Sequence, residues 1–251
     1  MPSPQAPVVV RSRESLSKLV LDNMSKNGPN CDLNFIDVSQ LTSMEGLFRN
    51  TAFDGAISQW DVSHVSVFDA MFENCPFNGD ISQWDTQCAT LMERMFSKSR
   101  FTGDLSGWNV SKGMYFRSIF LSSDFNGDIA SWDMRQAVDL RSMFKNAAFK
   151  GNISGWNVQD NAKLDGMFED NAAGHSAQTM TPVLLNILLQ NNMPLPDLKL
   201  RLAVRKYREL KDALGLDPST MTTDIFNIYA SRGKGVDVLS VDGLDLDSQL
   251  G

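Results

Sequence analysis

Histidine and cysteine are scarce in this 251-residue chain: two of the first, His64 and His175, and three of the second, Cys31, Cys75 and Cys88. The histidines sit in unrelated contexts, and no cysteine or serine lies in a nucleophile-elbow or related motif, so catalysis has little to start from. Three cysteines are odd in number and fit no metal spacing or redox pair, which argues against a disulfide framework and leaves reduced core residues as the expectation. Glycine-rich phosphate loops are missing too, since the glycines recur by period and not as GxGxxG or GxxxxGKS/T. No apolar run approaches the ~18 residues of a membrane span; the strongest, Val183 to Leu189, is broken by Asn186. The start has prolines at 2, 4 and 7 and only Val8 to Val10 as an apolar run before Arg11 and Arg13, which is no secretory h-region. The expected location is therefore cytoplasmic or within a virus-like particle, without a signal peptide, in preference to display on a surface. With 42% hydrophobic and 21% charged residues and a net charge of -7, disordered and collagen-like classes are excluded. The acidic balance disfavours non-specific contact with nucleic acid.

What the chain does have is repetition. Phe53, Phe77, Phe101, Phe125 and Phe149 stand 24 apart, and Trp60, Trp84, Trp108, Trp132 and Trp156, all five tryptophans, keep the same step. Phe48, Phe72, Phe96, Phe120, Phe144 and Phe168 form a further column, and Gly55, Gly79, Gly103, Gly127 and Gly151 another. A fixed period of this length marks a solenoid, in which no unit buries its apolar face alone and stacking makes one continuous core. The Phe and Trp columns are accordingly read as structural core and not as a stacking surface for sugars or bases. Within a unit, Asn78-Gly79 reads as a turn in which Gly takes positive φ. Trp84-Asp85-Thr86 reads as a short half-buried strand. Val65, Phe68, Met71 and Phe72, at i, i+3, i+6 and i+7, read as a helical turn. Six units stacked at strand spacing make a body about 29 Å long.

The segments FNGDISQWD, FTGDLSGWNVS and FNGDIASWD, each followed by a segment ending in Met-Phe or Ile-Phe, resemble the BspA-type leucine-rich-repeat family. The resemblance covers about Cys31 to Ala172, with Cys31 to Ala52 as a divergent first unit that has Ile36 where the others have Trp. It implies a parallel-strand solenoid of the kind found in bacterial surface proteins, viruses and protists, with binding or adhesion as its use and no catalytic residues to carry over. The chain departs from the surface-protein pattern in lacking a signal peptide or lipid-attachment cysteine near its start. The predicted fold class is an α/β repeat: a leucine-rich-repeat-like solenoid with short parallel strands and helical turns, plus helical N- and C-terminal caps. Residues 1–30 are an N-terminal arm and capping helix, 31–172 the six-unit solenoid, and 173–251 a mainly helical cap or docking region with an acidic tail.

The helix over Ser12 to Lys26 is amphipathic through Leu16, Leu19, Val20 and Met24, with Gly28 as its stop. Beyond the repeats, Thr181-Pro182 starts a helix continued by Val183 to Leu189, and a further helix ends at Gly215. Thr223 to Tyr229 reads as another short helix, and the alternating end as a tail strand docked on a neighbour.

Two charged features are candidate sites. Asp37, Asp61, Asp85, Asn109, Asp133 and Asn157 follow the Trp column and its first-unit counterpart, pointing outward if Trp points inward. They are open to two readings, a ligand or Ca²⁺ surface or side chains that cap the following turn. Asp and Asn interchange and no EF-hand or nonapeptide spacing accompanies them, which favours capping, with no metal and no cofactor. The column Asp80, Asp104 and Asp128 is read in the same way. Lys199, Arg201, Arg205, Lys206, Arg208 and Lys211 form a basic patch suited to a phosphate backbone, a membrane surface or acidic protein. Against that stands a solvated helix face, or one paired with the tail Asp237, Asp242, Asp245 and Asp247.

The functional expectation is a non-enzymatic structural or protein–protein interaction protein docked in a larger assembly such as a virion, with protein subunits or its own copies as partners. The alternative is a recognition or adhesion module that binds a protein or glycan on its strand face.

Overall fold

The computed structural model describes residues 7–151, then 153, 156, 158, 159, 162, 163, 165–168, 170 and 171, and the backbone of 240, 241, 244 and 245. Asn157, the basic patch Lys199, Arg201, Arg205, Lys206, Arg208 and Lys211, and the three helices expected beyond Thr181 lie outside the described residues.

The chain enters as strand β1 (Val8–Val9), which pairs in parallel with β2 (Ile36–Asp37), Val8 opposite Ile36. Between them runs α1 (Arg13–Asn27), within a residue of where the amphipathic pattern puts it. Ser12 caps it by accepting from the Ser15 N–H, and Gly28, at φ 82°, ends it by donating to the Met24 carbonyl. Leu16 and Val20 are buried against the first unit, with Leu19 and Met24 partly buried beside them. At the far end, β3 (Ser240–Val241) pairs antiparallel with β4 (Leu244–Asp245), so this part of the tail pairs with itself.

Between these ends, units 24 residues apart pair in parallel: Ser43 with Val67, Val67 with Leu91, Leu91 with Tyr115, Tyr115 with Asp139, and Asp139 with Lys163. The ladder does not run where the sequence suggested. Trp84 to Thr86 form no strand, and the segment read as helical carries the pairing instead. From Phe68 onward every second N–H leaves its own unit, Phe68 donating to Leu91, Ala70 to Glu93, Phe72 to Met95 and Asn74 to Ser97 at 2.8–2.9 Å. Within the unit only turn bonds form, as Met71 N–H to Phe68 and Glu73 N–H to Ala70. The reason is conformational. Ala70, Arg94, Ser118 and Ser142 have φ of 54–57°, matching Gly46 and Gly166 in the same column. Four residues on, Asn50, Asn74, Lys98, Ser122, Asn146 and Asp170 also have positive φ. A right-handed helix cannot contain such residues, whereas a turn with its third residue left-handed requires one.

The core is aromatic and columnar. Phe48, Phe72, Phe96, Phe120, Phe144 and Phe168 stack ring on ring at 5.3–5.8 Å. Within each unit the paired rings lie closer, Phe48 on Phe53 at 4.0 Å and Phe120 on Phe125 at 4.2 Å. The glycine column has a different cause from the one its turn-like sequence suggested. None of Gly55, Gly79, Gly103, Gly127 and Gly151 has positive φ. A Cβ at Gly103 would lie 2.6 Å from the Phe101 ring, and one at Gly55 2.0 Å from the Cys31 carbonyl oxygen. These glycines let the ring two residues back fold over the backbone.

Candidate functional site

The tryptophans are core. All five are buried, and each indole N–H donates to a carbonyl 27 residues earlier: Trp60 to Leu33, Trp84 to Ile57, Trp108 to Ile81, Trp132 to Leu105 and Trp156 to Ile129. A ring with its only donor occupied inside the stack offers no face to a ligand.

The column that follows the tryptophans has local work. Asp37, Asp61, Asp85, Asn109 and Asp133 each accept, through Oδ1, the backbone N–H two residues on, at 3.0–3.2 Å. Asp80, Asp104 and Asp128 do the same at 2.8–2.9 Å. This is the Asx-turn, which Asp and Asn serve equally. The Ser39 and Ser63 hydroxyls and backbone amides hold the Asp37 and Asp61 carboxyls below the ordinary range, and Arg135 does so for Asp133. Among the described residues no group of three metal-ligating side chains is assembled. Asn78, read from the sequence only as part of a turn, and Asp54 and Asn126, which the sequence reading passed over, accept the backbone N–H of the residue 24 later and tie neighbouring units together.

Cys31 and Cys75 are buried thiols, pushed up in pKa by that burial, and Cys88 is half-buried; none is in a disulfide. His64 is exposed beside Ser63. Among the described residues no helix is long and apolar enough to cross a membrane.

The surface that gathers chemistry lies on the ladder. Val67, Leu91 and Tyr115 are half-buried in consecutive units, next to Met114, which is 37% exposed. Two residues on, and so on the same face, stand Glu45, Asp69, Glu93, Arg117 and Arg141 in five consecutive units. The shared face is visible in the fork that Arg141 makes on Asp139, Nε to Oδ1 at 2.9 Å. Arg117 reaches across a unit boundary to Glu93 at 3.1 Å. Burial works against the charged form of Asp139, but the Arg141 bonds outweigh it and its carboxyl stays below the ordinary range. Asp69 goes the other way. Burial raises its pKa, the backbone bond from Glu93 lowers it, and the Glu93 and Glu45 carboxylates raise it further. Sequence reasoning missed this face because its members differ from unit to unit; the clue was the 24-residue step shared by three acids and then two arginines.

Comparison with curated proteins and with solved structures gives no match. One family does match, over residues 15–124 and again over 77–180, and it is described as Mycoplasma protein of unknown function, DUF285. The second match begins inside the first, as a repeated sequence allows. Together the two span more than half of the chain, from α1 through the last Phe of the stacked column, and the chain belongs to that family.

Proposed function

We propose that this chain is a non-enzymatic protein-interaction scaffold, a leucine-rich-repeat-like solenoid of the BspA type whose ladder face is its contact surface. The observation that carries this reading is the row Val67, Leu91 and Tyr115, half-buried and in register over three units, bordered by charges of both signs. Apolar centres with polar rims are what protein partners recognise. The Asp and Asn columns support the reading by elimination, because each described member already has a backbone N–H to satisfy. A place in a larger assembly such as a virion fits a rigid stack with one adhesive face.

A photo-crosslinking residue at Leu91 in the native source, with the same residue at exposed Gln59 as control, tests this directly. Discrete protein adducts from position 91 alone are expected. Equal labelling from both positions, or none from either, would sink the scaffold reading.

A further inference from the structure

The charges on the ladder face run in an order that a two-fold axis can match to itself. Reading along the stack, Asp69 and Glu93 are followed by Arg117 and Arg141. We propose that the ladder face binds a second copy of this chain, face to face and with the units in reverse order, about an axis between the third and fourth units. This rests on the reading of that face as a contact surface.

A two-fold axis parallel to the ladder strands, in the plane between the copies, keeps each column opposite the same column and reverses the unit order. Glu93 then faces Arg117 of the second copy, and Asp69 faces Arg141. Leu91 meets Tyr115, placing apolar contact at the centre and ion pairs beside it. The outermost match, Glu45 against Asp165, is like-charged and lies at the rim, where water and salt screen it. A row of one sign would repel its own copy, and a strictly alternating row would allow several registers.

Asp69 has room for such a partner. Its Oδ1 accepts the Glu93 N–H at 2.7 Å and Arg94 offsets part of the repulsion from Glu45 and Glu93, but it enters none of the ion pairs among the described residues. The Arg117 and Arg141 side chains remain 39% and 36% exposed despite their intrachain contacts, so each has N–H groups left to offer. The face is also small. A face about 29 Å long and five residues wide covers roughly 500 Å² per copy, or about 1,000 Å² in all, the lower bound for a specific interface. The pair is accordingly expected to associate weakly, in about the micromolar range.

The test is sedimentation equilibrium of the full chain from about 1 to 500 μM. The wild type is expected to pass from monomer to dimer, with affinity falling several-fold between 50 and 500 mM salt. Arg117→Glu with Arg141→Glu puts acids opposite acids, and Asp69→Arg with Glu93→Arg puts arginines opposite arginines. Each double variant alone is expected to lose at least a hundredfold in affinity, and an equimolar mixture of the two to recover a dimer. Near-UV circular dichroism of the tryptophan stack checks that each variant is folded. Should either fail that check, Arg117→Gln with Arg141→Gln replaces it and is expected to weaken the dimer tenfold or more. A wild type that stays monomeric at 500 μM, a dimer indifferent to both reversals, or a mixture that stays monomeric overturns the proposal. Crosslinks from Leu91 to a different protein, with a monomeric wild type, would refute self-pairing and leave the scaffold reading standing.

Discussion

At the scale of residues, one position per unit is settled by what a side chain would strike. Gly103→Ala drives a Cβ into the Phe101 ring, 2.6 Å away, while at Gly107 the nearest atom, the Ser82 carbonyl oxygen, is 3.7 Å off. Gly103→Ala should therefore cost about 1–3 kcal/mol and Gly107→Ala about nothing, read by urea denaturation. The left-handed columns make the opposite kind of prediction. Lys98 is exposed at φ 55°, where Asn50, Asn74 and Asn146 stand in other units. Lys98→Asn should stabilise by up to about 1 kcal/mol, since Asn tolerates that region best after Gly. Carboxylates set the response to acid. Asp37, Asp61 and Asp133 have depressed folded values, so their contribution is complete above the unfolded value near 4 and is lost as pH falls through the folded values. Asp69 has the reverse sign. Its charged form weakens the fold at neutral pH, and that penalty goes as pH falls below the unfolded value. Asp69→Asn should thus raise the melting temperature of the dilute protein at pH 7 and lose its advantage below about pH 4; an advantage that persists in acid would disprove the assignment.

Elements here are defined by bonds between units more than within them. Trp108 shows the consequence: its indole N–H satisfies the Ile81 carbonyl at 3.0 Å, so Trp108→Phe breaks a link to the preceding unit. The expected loss is about 1–3 kcal/mol from the orphaned carbonyl, on top of the smaller ring. The apolar spacing of Val65, Phe68, Met71 and Phe72 could not separate a helix from paired turns, because both bring residues three and four apart to one side. Deciding between them takes the destination of each N–H, and Phe68, Ala70, Phe72 and Asn74 send theirs to the next unit. The α1 helix was legible because its signals are local: Ser12 at the start, Gly28 at the end and an apolar stripe between.

For the whole molecule, stability is a sum over neighbours, and each inner unit has two. A lesion at the centre should therefore cost more than one at an end. Phe96 stacks on Phe72 and on Phe120, so Phe96→Ala is expected to lose about 3–5 kcal/mol and to speed amide exchange in units on both sides. Leu16→Ala, in the cap, should speed exchange first in α1 and the unit beneath it. Equal acceleration throughout in both variants would show that the stack unfolds as one body.

The period, the buried columns and the capped first helix were determined by sequence alone, because a strict 24-residue step and short-range caps are written in neighbouring residues. The purpose of the glycines was not, since the ring that excludes a Cβ reaches its place only through tertiary packing. Nor was the ladder face: which charges stand side by side depends on how one unit registers on the next, and that register is made by backbone bonds between residues 23 apart. Tertiary structure decided where the Asp and Asn side chains spend their acceptors: each described member of the column closes a turn on the N–H two residues on.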